Sequence, residues 1–310
     1  MIPTPSPQAR LCARRLFACA GLLVGFHATA LCQVAVVGIL EGRATLLRPA
    51  GKFELAEGVT LREADIVETA AASFTQIELA DGVRVALGEN SRLMLSPPGA
   101  AAARARLLTG WMKLTPGVDK AQPGDFLTPR AALGALAGTC VVNSDAAQFA
   151  LFVETGSVNV AERPGGAAPR SGRAGEFIAA RQGAALASAA RPAPDFVERM
   201  PRLFRDALPA RAARFRDKPV APRALGDVSY DDIAPWLQAE AAIRAPLVGA
   251  WRVRLADRSF KEAVLVNLQR HPEWRALVIP PKKPEPKARP IERPIERPAE
   301  KPAEGASSPS

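Results

Sequence analysis

Histidine is almost missing from this chain. Of 310 residues, only His27 and His271 are histidines, and Cys12, Cys19, Cys32 and Cys140 are the four cysteines. No Cys/His cluster can be assembled from them, which excludes the ordinary multi-histidine zinc geometries. The sequence also lacks Gly-x-Ser-x-Gly, a P-loop and a strand-linked Gly-x-Gly-x-x-Gly, so the nucleophile-elbow, P-loop and dinucleotide-binding chemistries have no foothold. Two carboxylates would suffice for glycoside hydrolysis, but spacing singles out no pair among the 15 acidic residues of 34–183. The chain therefore reads as no enzyme, with no catalytic, cofactor-binding or metal-binding residues and no cofactor.

Aromatic residues make up only 5% of the chain, while the net charge is +10. Clustered Lys and Arg would suit nucleic acid, so the position of the charge matters. Residues 34–183 and 224–279 are each neutral, with 15 basic and 15 acidic side chains in the first and 7 of each in the second. The excess lies in residues 1–30, in 184–223 (9 basic, 4 acidic) and in 280–310 (7 basic, 5 acidic). The Arg-rich stretch 211–218 holds one aromatic, Phe215, too few for a base-stacking series. Nucleic acid is not an expected partner.

No apolar run long enough to span a membrane stands uninterrupted near the N-terminus, since that takes about 20 residues. Arg10, Arg14 and Arg15 instead precede a short apolar run, residues 16–26, followed by Ala28-Thr29-Ala30. This is the pattern of a secretory signal peptide over 1–30, cleaved after Ala30, and it places the mature chain in the periplasm or beyond. Arg14-Arg15-Leu16-Phe17 partly matches a twin-arginine signal, but Ala13 before it and the lack of a following Lys favour Sec export. The alternative is an uncleaved leader anchored in the inner membrane, with His27, Thr29 and Gln33 interrupting the span. Neither Cys19 nor Cys32 has a lipidation context. Cys32 and Cys140 either pair in the oxidising compartment, or Cys140 is a small buried apolar residue; the second is preferred.

Residues 34–183 are a series of short alternating runs broken by Gly, Pro and Asp. Gln76-Ile77-Glu78-Leu79 and Val83-Arg84-Val85-Ala86-Leu87 flank Asp81-Gly82, a strong hairpin signal. Leu151-Phe152-Val153 and Val158-Asn159-Val160 around Thr155-Gly156 predict a second hairpin. About ten such strands mean an all-β sandwich, barrel or β-helix.

Ordered motifs then carry a family likeness. Gly58, Leu61, Asp65, Val67 and Thr69 form a G…L…D-x-V-x-T segment. Asp81-Gly82 leads to Leu87, Ser91, Leu93 and Leu95. Leu107, Leu108 and Gly110 follow, then Phe126, Thr128 and Pro129, then Gly138-Thr139 with Val141 and Val142, and Val153, Gly156, Val158 and Val160. Gly175-Glu176-Phe177 resembles a closing element. In this order the motifs resemble the FecR domain of iron-transport regulators. The resemblance implies a mainly β fold, β-helix-like or double-layered, with Asp65, Thr69, Asp81, Gly82, Gly110, Thr128, Pro129, Gly138, Thr139 and Gly156 as structural motif positions. Membrane-spanning relatives resemble one another in a cytoplasmic sigma-binding segment. Only 15 residues precede the apolar leader here, so an anti-sigma role in cis is not expected.

The remainder divides into a basic linker or arm with a short helix (184–223), a small helical segment (224–279) and a disordered Pro-rich tail (280–310). In the arm, Phe196, Met200, Leu203, Phe204 and Ala207 recur at helical spacing among Arg199, Arg202 and Arg205. This is either a basic surface helix or, preferred because of Pro201 and Pro209, a helix packed on the β domain. Ser229 with Asp232, and Ser259 with Glu262, predict capping boxes. His271 is expected to interact with the last carbonyls of the second helix. Tyr230, Trp236, Trp251, Phe260 and Trp274 are either a glycan-binding surface or, preferred, a small core. The four-residue Pro repeat of the tail gives an extended spacer reaching about 95 Å.

Functionally, the sequence points to a periplasmic binding or scaffold module with an envelope protein as partner. The alternatives are a regulator relaying a signal in trans to a membrane anti-sigma partner, and a glycan-binding protein with peptidoglycan as ligand.

Overall fold

The computed structural model describes residues 33–96, 103–117, 124–165 and 168–279. The leader, Cys32 and the Pro-rich tail lie outside them.

Eighteen linked strands form two layers. The front sheet runs, in spatial order, through Thr60–Arg62, Gln33–Glu41, Phe74–Leu79, Arg84–Leu87, the second half of Ala103–Thr115, Cys140–Ser144, Gln148–Val153, Phe177–Arg181 and Ala187–Ala189. The back sheet runs through Arg223–Gly226, Gly51–Glu54, Ala44–Arg48, Ile66–Thr69, Arg92–Leu95, the first half of Ala103–Thr115, Asp125–Leu127, Ala131–Gly134, Ser157–Glu162 and Arg170–Arg173. Strand pairing is antiparallel apart from Asp125–Leu127 on Ala103–Thr115. Of the two folds the resemblance implies, β-helix-like and double-layered, the chain adopts the double-layered one.

Period-2 side chains fill the space between the layers. Val37, Ile77, Val85, Met112 and Leu151 point in from the front, and Leu46, Val67, Leu93, Leu107 and Val160 from the back. The outer faces are buried as well. Phe74, Trp111, Val141 and Phe177 on the front sheet lie under Phe196 and Phe204 of the arm. Leu47, Ile66 and Met94 on the back sheet lie under Ile233, Trp236, Trp251 and Trp274 of the helical segment. Hence Phe74–Leu79 is buried at every position, as strands covered on both faces are.

Several expectations change in three dimensions. Asp81-Gly82 does join a hairpin, but the strands around Thr155-Gly156 do not pair. Gln148–Val153 belongs to the front sheet and Ser157–Glu162 to the back. Gly156, at φ +62°, lets the chain swing between layers, and alternation reads the same either way. The stretch read as a linker supplies the outermost front strand, Ala187–Ala189.

The arm helix stops at Arg199 and resumes after Pro201 as a 3-10 turn, Arg202–Arg205. Phe196 and Phe204 are buried while Arg199, Arg202 and Arg205 face water. Ser229 and Asp232 form the expected reciprocal box. In the second helix, however, Asp257 caps Arg258–Val266 by accepting from the Ser259 and Phe260 N–H groups, and Glu262 pairs with Arg258. A carboxylate two residues earlier takes the capping place expected for the hydroxyl. That helix ends at Val266, leaving His271 as N-cap of the 3-10 turn Pro272–Trp274.

Candidate functional site: a polar sheet face under the arm

The motif residues fall into separate clusters at turns and layer crossings, and they do not converge on one site. Asp65 accepts both parallel bonds of the Arg48 guanidinium (2.8 and 2.7 Å) and the Arg62 N–H (2.8 Å). Arg48 also donates to the Thr60 carbonyl at 2.8 Å. Burial pushes the Asp65 carboxyl up against the pull of Arg48; such a buried pair fixes geometry more than it adds stability.

Thr69 Oγ1 donates to the Gly88 carbonyl (2.6 Å) and accepts the Ser91 N–H (2.9 Å), while Ser91 Oγ accepts the Trp111 N–H (2.8 Å). Beside it Gly110 sits at φ +104°, and a Cβ there would come within 2.3 Å of Ser91 Oγ. Here the long strand leaves the back sheet for the front.

Asp81 accepts from the Val83 N–H (3.3 Å) and from Arg104 (2.6 Å), with Gly82 at φ +80° completing the turn. Thr128 Oγ1 accepts the Ala131 N–H at 2.9 Å, holding the Thr128-Pro129 turn closed, as hydroxyl turns do. Gly138 and Gly156 lie back to back, and a Cβ on Gly138 would meet the Thr155 carbonyl oxygen at 1.8 Å. The Thr139 N–H donates to Thr155 Oγ1 at 3.1 Å.

A different set of side chains forms the densest polar constellation. The outward positions of the front sheet alternate with its core positions, which puts Gln76, Glu78, Arg84 and Lys113 on neighbouring strands of one face. Each holds the arm by its main chain. Lys113 Nζ donates to the Phe204 carbonyl, Arg84 Nη1 to Leu208 (2.8 Å) and Gln76 Nε2 to Pro209 (2.9 Å). Glu78 accepts the N–H groups of Arg211 (2.5 Å) and Ala212 (2.9 Å). Lys113 also pairs with Glu154 at 2.8 Å. Alongside runs a cleft of about 470 Å³, lined by Arg84, Lys113, Thr115, Thr139 and Glu154 among others. Sequence reasoning placed these residues on strands but missed their function. The signal was their alternation with the core, which looks the same whether the polar side meets water or another segment.

Elsewhere, Tyr230, Trp236, Trp251, Phe260 and Trp274 are all buried, so they present no stacking surface to a glycan. His271 is fully buried; its Nε2 lies 3.1 Å from Tyr230 Oη and its Nδ1 has no partner. Cys140 is an unpaired, buried thiol whose pKa burial pushes up to about 12, and its suggested partner Cys32 lies outside the described residues. Among the described residues there is no group of three or more His, Cys, Asp or Glu side chains arranged to hold a metal ion. No described helix is long and apolar enough to cross a membrane.

Residues 65–159 match the sequence model of the family described as FecR protein. Two crystal structures, each of a candidate anti-sigma factor from Parabacteroides distasonis ATCC 8503, are similar in part. They show TM-scores of 0.36 and 0.37 at 18% and 17% identity, over 43% of this chain. The aligned part spans 62% of each of those chains. No curated protein matches the chain.

Proposed function

We propose that this chain, with its FecR match over residues 65–159, is an exported, non-enzymatic regulator of the cell envelope that works by docking a protein partner. The family match carries this reading. Proteins of this type are envelope-associated and regulatory, and they act through protein partners. The distribution of the motif residues supports it, because they hold turns and crossings and assemble no convergent reactive centre.

A docking mode is available at the sheet edges. Ala187–Ala189 pairs on one side only and is exposed throughout. Natural edge strands are usually blunted by charge or proline, and this one carries neither within its three residues. Addition of a partner strand is the corresponding mode.

Export and docking are tested together. After fractionation, N-terminal sequencing is expected to recover a chain beginning at Leu31 in the periplasmic fraction. Crosslinked pull-down with that chain is expected to enrich an envelope protein over a tag-only control. A chain that retains residues 1–30 in the cytoplasm, or a pull-down at background, would overturn the reading.

A further inference from the structure

We infer that the outer face of the front sheet is a groove that reads main chain, that residues 201–212 fill it in cis, and that an extended segment of the partner protein, with one aromatic anchor, replaces them. This deepens the reading of the chain as a partner-docking module and rests on it.

The contacts run in one direction. Lys113, Arg84 and Gln76 donate to arm carbonyls at Phe204, Leu208 and Pro209, and Glu78 accepts arm N–H groups at Arg211 and Ala212. Bonds of this kind do not inspect the identity of the bound residues. Any extended segment presents carbonyls and N–H groups, and a proline is accepted where only a carbonyl is read.

Phe204 is the deepest of the arm's side chains; Leu203 and Leu208 pack half-buried against the same apolar cluster, and Arg211 pairs with Glu57 at 3.5 Å. Phe204 is fully buried, edge-on to Phe74 at 6.1 Å between ring centroids. Arg202, Arg205, Asp206, Ala207 and Pro209 are exposed. Between Asp206 and Arg211 the arm forms neither helix nor strand and joins no ladder of the sheet. The adjoining cleft of about 470 Å³ leaves room for larger side chains than the arm supplies.

The groove has a physical reason to exchange occupants rather than stand open. Gln76 and Glu78 are 3% and 5% exposed under the arm. A carboxylate beneath a covering segment is costly unless its donors are replaced. A competing segment that offers the same N–H groups avoids that cost. It must also overcome a tethered competitor present at roughly millimolar effective concentration. The cis segment therefore sets a threshold for docking.

The test uses the full mature chain and a fluorescent synthetic peptide with the sequence of residues 199–214. Phe204→Ala weakens the cis occupant, so this variant is expected to bind the peptide at least about tenfold more tightly than the unmodified protein. Adding Glu78→Gln should abolish the gain. A peptide with its exposed positions shuffled and Leu203, Phe204 and Leu208 kept should bind comparably, and one with its Phe204 equivalent replaced by Ala should not. Equal, weak binding by both proteins, with Phe204→Ala folded by circular dichroism, would overturn the inference.

Should that variant unfold, hydrogen exchange on the unmodified chain decides. Faster exchange at Arg211 and Ala212 in excess peptide than without it, with Ile77 unchanged, supports a displaceable arm, and no change refutes it. The peptide probe needs no natural partner. Failure of the envelope pull-down with successful peptide binding would remove the regulatory reading and leave the groove standing.

Discussion

Gly138 and Gly156 bring two turns of the sandwich into close backbone contact. Each approaches the carbonyl of the opposing turn too closely for any Cβ. Gly138→Ala is expected to cost about 2–4 kcal/mol by urea denaturation, because the obstructing atom is backbone and cannot rotate away. Gly165→Ala provides the contrast. Gly165 also sits at positive φ (+61°) but has nothing within 4 Å, so only the left-handed backbone penalty of about 1 kcal/mol applies.

His271 gives the residue scale its pH dependence. Burial lowers its pKa, with Arg244 working in the same direction and Glu273 in the other. Arg244 and Glu273 face each other at 3.0 Å; Tyr230 Oη lies at Nε2. The unfolded chain takes up the proton near the ordinary value of about 6.5, and the folded chain only at lower pH. Stability should thus fall as pH drops below about 6.5 and level off beneath the folded value. Denaturation curves of the unmodified chain and His271→Gln, compared between about pH 5 and 7.5, should show this component of the slope vanish in the variant.

At the scale of elements, caps separate what is local from what is not. Ser229 and Asp232 close their box as spacing predicts, even though Asp227 stands two residues before Ser229, the place Asp257 holds relative to Ser259. At the second helix Asp257 holds the N–H groups of Ser259 and Phe260, and Ser259 Oγ turns to donate to it at 2.8 Å. Asp257→Ala should lower the melting temperature by a few degrees, and Ser259→Ala by clearly less. The reverse ranking would restore Ser259 as the cap.

Strands show the same division. The alternation over 76–87 correctly assigns Ile77, Leu79, Val85 and Leu87 to the core. It is silent on whether Gln76, Glu78 and Arg84 meet water or the arm, because side-chain period reports which face a residue is on and not what covers that face. For the same reason Thr155-Gly156 looked like a hairpin, since a reversal within one sheet and a step between sheets have the same pattern.

Taken as a whole molecule, the chain is a stack of arm, front sheet, back sheet and helical cap. Three apolar clusters mark the three contacts between layers. The β character of the centre was legible because alternation, glycines and hydroxyl residues mark its strands and turns, while its division into two layers was one of several arrangements left open. Of the outer layers, the arm was legible as a segment packed on the β domain, as Phe196 and Phe204 are, while Trp236 announced burial without naming the back sheet it covers. Cross-layer ties such as Lys52 to Asp232 and Arg163 to Glu240, both at 2.7 Å, join residues far apart in sequence. The charge of the arm takes on a structural sense here. With its main chain held by the sheet, its arginines at 199, 202 and 205 remain outside as a basic ridge.

The strand Ala103–Thr115 also imposes an order of assembly. Everything before it ends in two open edges, Arg84–Leu87 in front and Arg92–Leu95 behind, and this one segment closes both. It then becomes the template on which Asp125–Leu127 and Cys140–Ser144 start the second half of each sheet. As the chain emerges from its N-terminus, neither sheet can grow past its midpoint until Gly110 has bent and committed the two halves of the strand to different layers. A chain wrongly bent there would hold two half-sheets with complementary edges and no means of joining.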